Sequence, residues 1–492
     1  MFARAWKLRG AVLLALLVFA MPEVARAHGR LKSSAPAAGA HLGTVPRELR
    51  LEFSEVPELT FSSVKLTGSK GREIPLGPLG YAADSRRTVI AAIRIALPSG
   101  IYVVQWQLAG DDGHPIRGRF EFVVAPGAMG AAADSAVVGA PPSPIPDSAT
   151  GAMAMHHDAA SMPGGNGFGS ESIAYVGLRW AQFMALLLVV GAVAFRQLIL
   201  RIVQRKTTSD SLMLEAADAR AARVGHLAAA ALGVTLVLRL LAQSYAMHGA
   251  AQAWDVSLST AMIRNTTWGK GWLLQLVGVV VAGLGFHLAA RARRTLGGRD
   301  GGVPNRGVGW TLATVGTVLL AFSPAFSGHA SASPTLRTLA IAADGLHVLA
   351  ASSWLGSLVL VLTAGLPAVM SLAATDRGPT VAALINAFSP VALASAALAV
   401  GSGVFAAWLH VGRIPNLWGT RYGITLLVKL TILGVVALTG FYNWRFVQPR
   451  LGTDDATRQL RRSASVEVMV AVIVLLVTAV LVATPTSMDM EM

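Results

Sequence analysis

The chain has 492 residues, a formal net charge of +15 and a composition that is 53% hydrophobic and 14% charged. Zero cysteines exclude disulfides from any exported part and exclude a Cys-x-x-Cys metal site. No Gly-x-x-x-x-Gly-Lys-Ser/Thr loop is present to cradle a nucleotide phosphate, and no nucleic-acid module accompanies the positive charge, so neither nucleotide nor nucleic acid is an expected partner.

Residues 1–27 read as a secretory signal peptide. Arg4, Lys7 and Arg9 precede an apolar run, Ala11 to Ala20, too short to span a bilayer, and Ala25-Arg26-Ala27 supplies small residues for cleavage. Cleavage there makes His28 the amino terminus, where one residue offers a metal both its α-amine and its ring Nδ1. From 28 to 124, Leu49-Arg50-Leu51-Glu52-Phe53, Val64-Lys65-Leu66 and Arg119-Phe120-Glu121-Phe122-Val123 alternate apolar and polar residues between Gly and Pro breaks. That pattern predicts short half-buried strands and an all-β module. In Asp112-Gly113-His114 an extended backbone puts Asp112 and His114 on one face. Two imidazoles, one amine and one carboxylate make a tetragonal, nitrogen-rich set that suits Cu(II), with zinc as the main competitor. A simple turn at Asp-Gly-His is the plainer alternative. His41 and Glu55 are spare ligand candidates whose plainer reading is a solvated or hydrogen-bonded surface group.

Residues 125–171 are rich in Ala, Gly, Pro and Ser, the composition of a flexible linker. Within it, Met153, Met155, His156 and His157 gather thioether and imidazole groups that suit Cu(I) and Cu(II), a candidate relay against the alternative of a chance cluster.

From 172 to 484 the chain is membrane. Apolar runs near 173–195, 224–246, 268–290, 308–326, 338–362, 390–409, 422–444 and 464–484 predict an all-α bundle of about eight spans in the lipid bilayer. Basic residues crowd alternate loops, for example Arg196, Arg201 and Arg205, then Arg291, Arg293 and Arg294, then Arg458, Arg461 and Arg462. The intervening loops hold only Arg264, Arg337, Arg413 and Arg421, so both ends of the chain are expected outside. The tail, 485–492, places Met488, Met490 and Met492 on that side. Ionisable groups in spans are costly and therefore point to function. Asp344 and His347 are three residues apart and share one helical face, and His329 lies in the loop before them. These three are candidate metal contacts; the alternative is a structural pairing of Asp344 with Lys429 while His347 bonds between helices. His226 and His287, near the cytoplasmic ends, read as interfacial residues.

Two family resemblances follow. Ser34-Ala35-Pro36, Leu51-Glu52-Phe53-Ser54-Glu55, Phe61-Ser62-Ser63-Val64, Tyr102-Val103-Val104-Gln105-Trp106 and Asp111-Asp112-Gly113-His114-Pro115 make residues 28–124 resemble the copper-resistance protein CopC. The resemblance implies a Greek-key β-barrel or sandwich whose Cu(II) ligands are His28, Asp112 and His114. No methionine lies between His28 and Val124, so a Cu(II)-only version is expected. Ser327-Gly328-His329-Ala330, Asp344-Gly-Leu-His347 with Trp354-Leu-Gly356, and Tyr422-Gly423 with Lys429 resemble CopD, an inner-membrane copper-resistance protein. A CopC–CopD fusion implies a non-enzymatic copper transporter of the inner membrane, most simply an importer, with copper ions and periplasmic copper carriers as partners. The alternatives are sequestration or export, a haem-binding redox membrane protein, and an oxidative copper enzyme, against which a first shell filled by Asp112 argues.

Overall fold

A computed structural model describes residues 31–54, 56–59, 62–68, 71–109, 115–130, 172–206, 211–250, 252–291, 306–326, 336–448 and 454–484. They form two compact units, an N-terminal β-sandwich and a helical bundle.

Among its described residues the sandwich has nine strands: β1 (Leu31–Ala35), β2 (His41–Val45), β3 (Glu48–Phe53), β4 (Ser63–Gly68), β5 (Glu73–Ile74), β6 (Gly80–Ala82), β7 (Ser85–Ala92), β8 (Gly100–Ala109) and β9 (Pro115–Gly130). One sheet runs β1-β3-β7-β6 and the other β2-β9-β8-β4-β5. All pairings are antiparallel except β2 with β9. The alternation read in β3 is realised, with Leu49, Leu51 and Phe53 buried and Arg50 and Glu52 between them turned toward the surface. Their core partners are Leu66, Val89, Val104, Trp106, Leu108, Phe120 and Phe122. Trp106 meets Phe53 edge to face at 5.2 Å, and Tyr102 stacks on Phe122 at 5.5 Å. Gly118 lies opposite Trp106 in the β8–β9 ladder, and any Cβ there would overlap the indole. Strand β9 continues beyond Val124 because β2 pairs with it as far as Gly130.

Among the described residues, eight helices are long and apolar enough to cross a membrane: α1 (Ile173–Arg205), α2 (Ser211–His248), α3 (Thr267–Arg291), α4 (Gly307–Phe326), α5 (Arg337–Val369), α6 (Ala374–Val411), α7 (Arg421–Phe446) and α8 (Arg458–Leu481). Each covers one predicted span, and α1, α2 and α6 run well past the apolar stretch that revealed them. A short helix not expected from hydropathy, Val256–Asn265, follows α2; the Asp255 carboxylate caps it by accepting from the Ser257 N–H at 2.8 Å. Small residues set the packing. At the α1–α5 crossing a Cβ on Gly191 would run into the Gly356 backbone, and α3 and α4 interleave through Gly278, Gly285, Gly309 and Gly316. Wider turns of π type interrupt α1 at Phe195–Leu200, α5 at Val361–Gly365 and α7 at Asn443–Val447.

Candidate functional site

In the sandwich, the expected ligands His28, Asp112 and His114 lie outside the described residues, as do Glu55 and the candidate relay Met153, Met155, His156 and His157. Their described flanks are informative. Leu31, the first residue of β1, is in register with Phe53; Phe53 packs on Trp106; and Trp106 is three residues from the end of β8, where Ala109 pairs with Pro115. The start of β1, the end of β8 and the start of β9 therefore lie at one end of the sandwich. Each is within about 10 Å of chain from a candidate ligand, taking about 3.4 Å per extended residue. His41 is exposed on β2. Arg50 of β3 binds Asp84, in the turn between β6 and β7, through both carboxylate oxygens at 2.6 and 2.5 Å, and this guanidinium holds the Asp84 carboxyl below the usual carboxylate range.

In the bundle, His329 lies outside the described residues, whereas Asp344 and His347 stand half-buried on α5. The His347 ring enters the α5–α6 contact, where a Cβ on Gly403 would come within 3.2 Å of its Cε1. Its Nδ1 is 2.9 Å from the Ala399 carbonyl oxygen and 3.2 Å from Ser402 Oγ. A carbonyl only accepts, so Nδ1 carries the proton and donates, which leaves the lone pair on Nε2. Metal-binding imidazoles are commonly oriented by a bond of this kind. Lys429 of α7 is near enough for its charge to act on both Asp344 and His347. Among the described residues, however, Asp344 and Lys429 do not close to an ion pair within 4.0 Å. Nor do the described residues supply three His, Asp or Glu side chains gathered as a metal centre.

The bundle also encloses polar residues that hydropathy averaging passed over. Arg179, 5% exposed, lies over the Tyr175 ring at 5.1 Å, and Tyr175 donates to Gln243 at 2.7 Å. Gln182 bonds to Gln275 at 2.9 Å, between α1 and α3. Arg196 of α1 pairs with Asp218 of α2. Glu467 of α8, 5% exposed, accepts from the Asn443 side chain at 2.5 Å. Any ionisable residue inside an apolar run is a signal that could have found Arg179 and Glu467.

Comparison with known proteins covers both units. Residues 31–125 match the CopC domain, residues 170–339 the N-terminal domain of copper resistance protein D-like proteins, and residues 382–481 copper resistance protein D. Copper transport protein CutJ of Bacillus subtilis is 25% identical over 481 residues, spanning 96% of this chain and 77% of that protein. Copper resistance protein C of Escherichia coli is 34% identical over 123 residues, 24% of this chain and 97% of that one. The solved structure of CopC from Methylosinus trichosporium OB3b is 29% identical over 20% of this chain and 95% of its own, with a TM-score of 0.19 against the full chain. A CopC sandwich and a CopD bundle thus follow one another in a single polypeptide, and the chain belongs to the family of CopC–CopD fusion proteins.

Proposed function

We propose that this protein carries copper inward across the inner membrane as a non-enzymatic transporter. Cu(II) is captured at the exported sandwich by the α-amine and ring of His28 with Asp112 and His114. It then passes to His329, Asp344 and His347, with Met153, Met155, His156 and His157 as a relay whose thioethers also take ions that arrive as Cu(I). Both termini lie on the periplasmic side, where copper carriers supply the cargo. The observation that carries this reading is His347, an imidazole within a span whose Nδ1 is anchored on the Ala399 carbonyl so that Nε2 keeps its lone pair for a ligand. Support comes also from the placement of the start of β1, the end of β8 and the start of β9 at one end of the sandwich, and from relatives whose names state copper transport and copper resistance.

The test is copper accumulation in cells expressing the wild type or a His28→Ala/His114→Ala protein. Import requires less cell copper with the variant; more copper would mean export and would overturn the direction. One extra residue before His28 is expected to weaken Cu(II) binding sharply by displacing the amine from the chelate.

A further inference from the structure

Helices α2 and α3 approach closely at one end. Gly225 of α2 lies against the Phe286 ring, which any Cβ there would overlap, and a Cβ on Gly283 of α3 would stand 3.8 Å from that of Ala229. Phe286 and Ala229 are buried, and Trp310 of α4 closes on the Phe286 edge at 5.7 Å, so the crossing is apolar. Into this crossing the sequence places two histidines, each next to one of the contact residues. The rings of His226 and His287 meet across it with centroids 5.5 Å apart and planes inclined by 41°.

The His226 Nδ1 is sealed from solvent and has no hydrogen-bond partner among the described residues. Buried polar atoms are nearly always satisfied, so this nitrogen calls for a partner that the described residues do not supply. Stacking of two neutral imidazoles would explain the ring distance but not the orphaned nitrogen. A shared metal ion explains both. With metal–nitrogen bonds of about 2.0 Å, two imidazoles bent around one ion have ring centroids roughly 5 to 6 Å apart.

The donor set then selects the ion. Zn(II) in protein sites takes four ligands, and Ca(II) and Mg(II) take oxygen. The described residues gather no third His, Asp or Glu with these two. Two imidazoles in an apolar crossing match Cu(I), which is stable with as few as two or three donors; the bend that a 5.5 Å separation implies leaves a third position for a small ligand. We propose that His226 and His287 together hold one Cu(I) ion at this end of α2 and α3. The choice of copper rests on the proposed function; the pairing of the two rings does not. Arg223 and Arg291, about one turn away on each helix, are exposed, so the site lies within a turn of the surface. Under the expected topology that surface is cytoplasmic, and the pair is an inner site for ions that reach it as Cu(I).

The experiment is anaerobic titration of the purified full-length protein in detergent with Cu(I), in competition with a chromophoric Cu(I) chelator. His226→Ala, His287→Ala and the double variant are each expected to bind one Cu(I) equivalent fewer than wild type, the double losing no more than either single. His226→Met/His287→Met is expected to recover that equivalent, because thioethers hold Cu(I), and to bind no added Zn(II). This second variant also serves if the alanine proteins fail to fold, since a site without metal gains nothing from paired methionines. The inference is overturned if the alanine and wild-type proteins bind equal Cu(I), or if the methionine pair restores nothing. His28→Ala/His114→Ala should leave this equivalent in place. An altered accumulation result for that variant therefore bears on the direction of transport and not on the His226–His287 site.

Discussion

The sandwich and the bundle handle charge in opposite ways. Among the described residues of the sandwich no charged side chain is buried; its core is Leu49, Leu51, Phe53, Trp106 and their apolar neighbours. The bundle, in contrast, buries Arg179, Asp218 and Glu467, and holds Asp344, His347 and Lys429 half-buried among its helices. A β-sandwich meets water at both ends, so polar chemistry can sit on its connecting turns while the interior stays apolar. A path through a bilayer has no such ends, so its polar groups must be built into the packing and held there by partners.

The contrast is broken or sharpened by substitution. The largest effect is expected for Trp106→Ala, which empties the centre of the sandwich and removes the partner of Phe53. It should cost about 3–5 kcal/mol in denaturant unfolding of the sandwich and leave the thermal unfolding of the bundle in detergent unchanged. Coupled loss of both would show that the two units do not have separate cores. Next, Gly356→Val should destabilise the bundle by about 1–3 kcal/mol, because its side chain meets the backbone of α1 at Leu187 and Gly191. Thermal unfolding in detergent is the measurement, and the sandwich should be unaffected.

Smaller effects arise from titration within the sandwich. Burial raises the Tyr102 phenol above its ordinary value, and its hydroxyl donates to the Pro98 carbonyl at 2.7 Å. A raised folded value means that the stabilisation is complete below the ordinary tyrosine range and is lost as pH rises through the folded value. Tyr102→Phe should remove that alkaline loss at a cost of about 1 kcal/mol for the hydrogen bond, seen in unfolding curves against pH. The smallest effect belongs to Asp84. Its lowered value makes the Arg50 pair stabilising at neutral pH and lost as pH falls through the folded value. The pair is exposed, so Asp84→Asn should produce only a slight change that added salt removes.

What was legible in the sequence follows from the range of each signal. Alternation in Glu48–Phe53 and the apolar runs are local, and both led directly to strands and spans. The start of α2 was hidden because its first turns, rich in Ala, Asp and Arg, are helical without being apolar; Asp218 there is held by Arg196 of another helix. Pro379 and Pro390 obscured the start of α6, yet both are accommodated inside one helix. The Asp344–His347 face was legible from its spacing. The anchor on Ala399 was not, since it depends on which helix packs against α5. The pairing of His226 with His287 was missed for the same reason, because near-equal depth in two spans does not reveal that the spans are neighbours.

The claim that capture and passage reside in different units is tested most directly by His347→Ala, measured twice. Equilibrium Cu(II) binding by the purified protein and copper accumulation by cells expressing it should separate, with affinity at the His28, Asp112 and His114 site unchanged and accumulation lost at normal expression. Accumulation equal to wild type would contradict a copper path through α5.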